Sequence, residues 1–285
     1  MTRKAVFAGQ FYEANSFALE RQLNECFLSK FGPGTLPISK RSGFVKAIIA
    51  PHAGYMYSGA CAAWAYKEIG EAEIPDLYIL LGPSHSGYGS GISLESIETP
   101  LGLVRIDQNF AKDLLNKSDL VVSEAAHSSE HCLEVQLPFL QFVNKKFEEK
   151  IKILPIVVSH DIDLKKLSLD LKETIMDSNK KVTVIISSDF THYGQDYGFV
   201  PFTKDIAENQ KKLDLGAFEF IKSLDVKGFT DYVGATGATI CGAMPIAVLL
   251  GCLKQAKAEL LRYYASGDVA GDYRNSVGYM SVMFK

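Results

Sequence analysis

The sequence predicts an α/β fold: one domain over residues 1–285, with a mixed, mostly parallel central sheet flanked by helices. Three observations lead there. Continuous apolar, β-branched runs recur at residues 45–50, 77–81, 153–158 and 182–186, the pattern of strands buried on both faces. Helical stretches separate these runs, as crossovers between parallel strands require. No internal repeat or low-complexity linker divides the chain.

Taken in order, an opening segment through Phe11-Tyr12 leads into a helix over 16–30, with Ser16 as its N-cap. A loop over 32–42, beginning Gly32-Pro33-Gly34, precedes the first core strand. His52 follows that strand, and after Gly54-Tyr55 a small-residue helix is predicted over 58–69. The second core run ends at Gly82-Pro83-Ser84-His85. Beyond it, Gly87, Gly89 and Gly91 have GxGxG spacing but feed a strand-like stretch at 92–96. A dinucleotide motif must open a helix, so this one reads as a flexible turn. Thr99-Pro100-Leu101-Gly102 forms a hairpin-like turn into a strand at 103–106. Helices are predicted over 108–116, 134–147, 164–176, 206–224 and 244–253. Pro155 inside the third core run argues for an edge or bulged strand, because proline cannot donate to a ladder. Two strands, 258–266 and 277–284, close the chain, with turn chemistry between them at Gly267-Asp268 and Gly271-Asp272.

Composition narrows the function classes. With 47% hydrophobic and 22% charged residues the chain can bury an ordinary globular core. A net charge of −3 offers no electrostatic reason to bind nucleic acid or an anionic membrane. The N-terminal stretch lacks the apolar centre of a signal peptide, and no run approaches the ~20 apolar residues of a membrane span. Five cysteines without a CxxC pair argue against a disulfide framework and for a reducing cytoplasm.

Four of six histidines follow strand-like runs: His52, His85, His160 and His192. Ligands of parallel sheets collect beyond the strands' C-terminal ends, and imidazole is the commonest metal ligand and general base. His52 in Pro51-His52-Ala53-Gly54-Tyr55 and His85 in Gly82-Pro83-Ser84-His85 sit in tight loops between rigid neighbours. In Ser187-Ser188-Asp189-Phe190-Thr191-His192 a carboxylate precedes a histidine by three residues. On a helical turn the two share a side, either to bind a metal together or for Asp189 to orient His192 as a general base; the bland alternative is Asp189 as a helix N-cap, and both can hold at once. Cys241 lies just ahead of an apolar helix, whose dipole favours a thiolate; the bland alternative is a small buried residue. Cys132 and Cys252 occupy helical apolar positions and read as packed thiols. His127 and His131 precede a helix, with Glu134 three residues after His131, either as support for a site or as a polar helix start. His160, beside Asp161 and Asp163 in a helix-capping loop, reads as a bystander.

Assembled in order, several of these segments resemble the Memo family: Ala8-Gly9-Gln10-Phe11-Tyr12, Pro51-His52-Ala53-Gly54-Tyr55, Gly82-Pro83-Ser84-His85, Glu130-His131-Cys132-Leu133-Glu134-Val135-Gln136-Leu137-Pro138-Phe139, Ser187-Ser188-Asp189-Phe190-Thr191-His192 and Ile240-Cys241-Gly242. The resemblance implies an α/β fold similar to class III extradiol dioxygenases, which are non-haem iron enzymes. It also implies a metal held by His52, His85 and Cys241, with Asp189 and His192 lining the same pocket; the catalytic expectation placed on them is that of an acid–base pair beside the metal. Two imidazoles and a thiolate suit iron, copper or zinc and suit magnesium or calcium poorly. Iron(II) is the first expectation, copper the second and zinc the last. Replacing the carboxylate of the usual iron triad by a thiol separates the dioxygenase fold from dioxygenase activity.

The leading expectation is a metal-dependent, oxygenase-like redox protein acting on an unidentified small-molecule or peptide ligand. Two alternatives stand beside it. One is metal-free hydrolase-type chemistry with Cys241 as nucleophile, His192 as base and Asp189 as orienter. The other is a non-enzymatic adaptor that binds phosphopeptides in the same pocket, as described for some Memo proteins. The family's occurrence beside radical SAM proteins in prokaryotic genomes implies a functional link to such a partner.

Overall fold

Five parallel strands form the centre of the computed structural model, which describes residues 2–38 and 41–285. Residues 39 and 40 of the predicted 32–42 loop lie outside the described residues. The strands are β1 (Thr2–Arg3), β2 (Ala47–Ala50), β3 (Leu77–Pro83), β4 (Gly91–Ile92), β5 (Ser96–Thr99), β6 (Gly102–Ile106), β7 (Lys152–Val158), β8 (Val182–Ser187), β9 (His192–Gly194), β10 (Ala258–Ala265) and β11 (Asn275–Phe284). The helices are α1 (Ser16–Leu28), α2 (Tyr55–Glu71), α3 (Gln108–Lys117), α4 (Glu124–Ser128), α5 (His131–Glu134), α6 (Gln136–Val143), α7 (Leu164–Asp177), α8 (Ile206–Lys222), α9 (Val226–Thr236), α10 (Ala243–Cys252) and α11 (Ser266–Ala270).

The sheet runs β1-β5-β6-β7-β3-β8-β2-β11-β10, with β4 attached to β7 and β9 to β11. Strands β6 through β2 are mutually parallel, while antiparallel pairs β5–β6, β2–β11 and β11–β10 flank them. The expected mixed, mostly parallel sheet is therefore present. Its centre is apolar on both faces: Ile48, Ile49, Ile79, Leu80, Leu81, Ile185 and Ile186 are wholly buried. Each such side chain contributes about 1.5–3 kcal/mol over an exposed one. Helices α1, α2 and α6 pack together on one face, and α7, α8, α9 and α10 pack on the other. Gly82 allows the close approach of α5 to β3, because a Cβ there would press on Cys132 Sγ at 2.5 Å and Leu133 Cδ2 at 2.8 Å.

Several local expectations change on folding. Asn15, not Ser16, caps α1: its Oδ1 accepts from Phe17 N (2.9 Å) and Ala18 N (3.2 Å). The helix expected over 134–147 divides into α5, α6 and a 3-10 turn at Lys145–Lys150. The strand expected at 92–96 divides between β4 and β5, and the turn after β10 contains the short helix α11. Helix α9 was not expected. Pro155 is neither at an edge nor at a bulge. Strand β7 is internal, but on one side its neighbour changes from β6 at Lys152–Ile153 to β4 at Ile156–Val157. The Pro155 carbonyl accepts from Ser93 N at that junction, so the missing N–H also faces the gap between neighbours. The glycine-rich turn after His85 is held rather than free: Asp161 accepts from Ser90 N (2.9 and 3.0 Å) and Ser90 Oγ (2.6 Å).

Candidate metal centre

The three central neighbours β3, β8 and β2 each deliver one polar side chain two residues beyond their C-terminal ends: His85, Asp189 and His52. Cys241 joins them from the segment between α9 and α10. One donor atom from each of His52, His85 and Cys241 lies within 4.8 Å of the others.

Neighbouring groups decide which ring nitrogens face inward. Ser187 Oγ donates to the Cys132 carbonyl (2.6 Å), so at 2.9 Å from His52 Nδ1 it must accept. Gln136 Nε2 also donates to that hydroxyl (2.8 Å) and to the Pro51 carbonyl (3.0 Å). His52 therefore carries its proton on Nδ1 and turns a lone pair on Nε2 towards Cys241 Sγ, 3.2 Å away. His85 is fixed similarly: its Nδ1 donates to Glu130 Oε1 (2.9 Å), leaving Nε2 free. Glu130 also accepts from His85 N (2.6 Å) and Cys132 N (3.0 Å). Burial opposes the Glu130 charge, but these donors outweigh it and hold the carboxyl at about 2. His85, Glu130 and His131 also present donor atoms within 4.8 Å. With three N–H groups already on its carboxylate, Glu130 orients His85 rather than offering itself to a cation.

Burial, with His85 adding to it, pushes His52 well below its ordinary range, so the ring is neutral and able to bind. His131 forms the roof. Its ring lies 4.6 Å from His85 and 5.4 Å from His52, and burial holds its pKa at about 4. Phe11 (4.5 Å) and Phe7 (5.6 Å) pack against it from the N-terminal segment. Glu134 straps that segment down, accepting from Arg3 Nη2 (2.8 Å), Val6 N (3.1 Å), Phe7 N (2.8 Å) and Tyr12 Oη (2.9 Å). Glu134 and His131 thus support the cluster. Behind the strap, a cleft of about 350 Å³ is lined by residues that include Gln10, Phe11, Tyr12, Gly54 and Met56.

Two expectations about chemistry are corrected. Asp189 and His192 share no helical turn: the chain runs from β8 through a loop into β9. Asp189 Oδ1 accepts from His52 N (2.8 Å), while His192 Nδ1 donates to the Thr239 carbonyl (3.0 Å). The partner that orients His192 is therefore Thr239, whose hydroxyl also clasps the His192 backbone. Burial raises the Asp189 carboxyl, against the His192 ring and the N–H groups of His52 and Ala53. Nor does the α10 dipole leave Cys241 an easily ionised thiol. Cys241 lies one residue before the N-cap Gly242, and burial followed by the Asp189 charge pushes its thiol well up. Its imidazole neighbour is His52, so the expected Cys241–His192–Asp189 relay is not assembled.

The other candidates lie apart. His160 is exposed in the turn after β7. His127 is buried with Nε2 donating to the Gly91 carbonyl (3.0 Å). Cys132 is wholly enclosed, and burial pushes Cys252 up to about 12. Sequence reasoning missed the individual roles of Ser187, Gln136 and Glu130, although all three stand in the quoted segments. Nothing in the sequence marked Thr239.

The family model described as Memo-like protein matches residues 3–283. The chain belongs to the Memo family. A MEMO1 family protein of Methanothermobacter thermautotrophicus is 37% identical over 98% of this chain and 99% of its own length. One from Methanopyrus kandleri is 35% identical over 100% and 99% respectively. Among solved structures, that of an uncharacterized protein, JW3007, from Escherichia coli K12 has a TM-score of 0.49. It is 12% identical and covers 84% of this chain and 99% of its own. In this Memo-family chain, no helix among the described residues is long and apolar enough to cross a membrane.

Proposed function

We propose that this Memo-family chain holds one transition-metal ion on His52, His85 and Cys241 and serves oxygenase-like redox chemistry, with iron(II) the first choice, copper the second and zinc the last. The observation that carries this reading is the convergence of three donors whose alternatives are used up. Both Nδ1–H groups are committed to Ser187 and Glu130, so each imidazole has one lone pair left to offer. Two imidazoles and a sulfur suit iron, copper or zinc; only the first two also change oxidation state. A bound cation supplies Lewis acidity, and iron or copper supplies electron transfer as well.

The chain's own residues then have separable tasks. A cation at Cys241 reverses the effect of burial and favours the thiolate, which the Asp189 N–H already meets at 3.2 Å. Asp189 holds the His52 backbone. His192, with Nδ1 tied to Thr239, keeps Nε2 free as a proton acceptor beside the cluster. Phe7, Phe11 and His131 wall off water on one side.

Anaerobic metal analysis tests this assignment. Wild-type protein is expected to take up about one Fe(II) per chain, with sulfur-to-metal absorption on oxidation. Cys241→Ala is expected to lose that uptake and the absorption, whereas Cys252→Ala keeps both. Full affinity in Cys241→Ala would overturn the ligand assignment.

A further inference from the structure

Beside His192 lies a small, closed turn that no family motif in the sequence singled out. Gln195–Tyr197 forms a 3-10 turn between Gly194 (φ 130°) and Gly198 (φ 66°). Gly194 and Phe199 exchange backbone hydrogen bonds of 2.8 and 3.1 Å, closing the turn at its base. Asp196 N donates to Asn275 Oδ1 (3.1 Å), pinning it to β11. A Cβ at Gly194 would stand 2.6 Å from the Arg274 carbonyl, so the turn also depends on close backbone approach. The result is a fixed platform that carries Tyr197.

Tyr197 packs edge-on to His192, with ring centroids 5.2 Å apart and planes at 77°. It nevertheless remains 45% exposed. Burial of its inner side raises its pKa, and the Asp189 and Asp196 carboxylates add to the rise. Asp189, whose Oδ2 is 4.0 Å from His52 Nε2, is thus one of the charges that raise the phenol. The phenol keeps its proton at neutral pH and is therefore available as a hydrogen-bond donor. His192 is complementary, since Thr239 has taken its Nδ1–H and left an acceptor.

We propose that Tyr197 is a ligand-contacting residue, whose phenol donates a hydrogen bond to a small ligand seated at the site of His52, His85 and Cys241, next to the acceptor nitrogen of His192. This rests on the metal reading above and adds a ligand class: small molecules or ions that present an acceptor atom to Tyr197, with a neighbouring donor favoured by His192. The pair expected between Asp189 and His192 becomes a pair between Tyr197 and His192. A purely structural Tyr197 would serve only as a hydrophobic edge for the imidazole, and phenylalanine would do that equally well.

The test uses cobalt(II) as a redox-silent spectroscopic stand-in and azide as an anionic probe, with Tyr197→Phe beside wild type. Sulfur-to-cobalt absorption reads metal loading, and the change in the cobalt visible bands on titration reads azide affinity. Tyr197→Phe is expected to bind cobalt as wild type does while azide binds about tenfold more weakly, the loss of one hydrogen bond to a charged group. A urea midpoint equal to wild type accompanies that result. Azide affinity equal in the two proteins, with cobalt bound in both, would overturn the role of Tyr197 and leave the metal reading standing. The same conclusion follows if wild type takes cobalt but no azide. Failure of wild type to bind cobalt would overturn the metal reading and this proposal together.

Discussion

Removing the Glu134 carboxylate is expected to loosen the N-terminal strap and cost several kcal/mol. The group is wholly buried, and its two oxygens receive four donors, from Arg3, Val6, Phe7 and Tyr12. Arg3 is itself buried and makes its ion pair with Glu134 at 2.8 Å. Glu134→Ala leaves that guanidinium without a counter-charge, and breaking a buried pair from one side costs about 3–5 kcal/mol. The strap could instead peel away and hydrate Arg3. It would then expose Tyr12 and more of Phe7 and Phe11, at about 1.5–3 kcal/mol for each side chain fully exposed, so the escape route is no cheaper. Glu134→Gln retains one acceptor but turns an amide donor towards other donors, and is expected to lose about 2 kcal/mol. Urea unfolding followed by circular dichroism measures the total. Limited trypsin cleavage after Arg3, read by mass spectrometry, separates peeling from global loss. Both variants within about 0.5 kcal/mol of wild type, with unchanged cleavage, would refute the reasoning.

Two further outcomes follow from the same geometry. Glu130→Gln takes the charge from the group that receives His85 Nδ1–H, so metal affinity is expected to fall about 10–100-fold with one site per chain retained; titration with unchanged affinity would contradict the orienting role. His127 is held by burial at about 4, against an ordinary value of 6.5. The unfolded chain therefore takes its proton first, and the stability this group contributes is present above pH 6.5 and lost as pH falls through 4, about 3 kcal/mol in all. His127→Gln, whose amide can donate to the same Gly91 carbonyl, should flatten the stability–pH curve between pH 6.5 and 4. Equal slopes for metal-free wild type and variant would sink this account.

The central strands were legible because a strand covered on both faces must be almost continuously apolar, and the one polar side chain within 182–186, Thr183, is buried with its hydroxyl donating to the Val45 carbonyl. Their loop histidines were legible because a polar residue just after such a run marks the C-terminal end of a buried strand, where the ligands of parallel sheets collect. Harder to see were features set by competition between neighbours. Asn15 captures two N–H groups that Ser16 could have capped only from one residue further along. Pro155 sits inside the sheet because one side of β7 changes partner there. Asp189 and His192 are three residues apart, but extended chain turns them to different partners.

The amino-acid sequence by itself determined the α/β class, the apolar centre and the positions at which His52, His85 and Asp189 leave it. Those follow from local periodicity and burial, which a single chain segment expresses unaided. Tertiary structure alone decided that β3, β8 and β2 lie side by side, so that these residues meet although they are far apart in sequence. It also decided that Cys241 reaches them and that Ser187 and Glu130 choose which imidazole nitrogen turns inward. It set His192 beside Tyr197 as well. Such outcomes depend on strand order and on which donor finds which acceptor across the fold, and no local pattern encodes either.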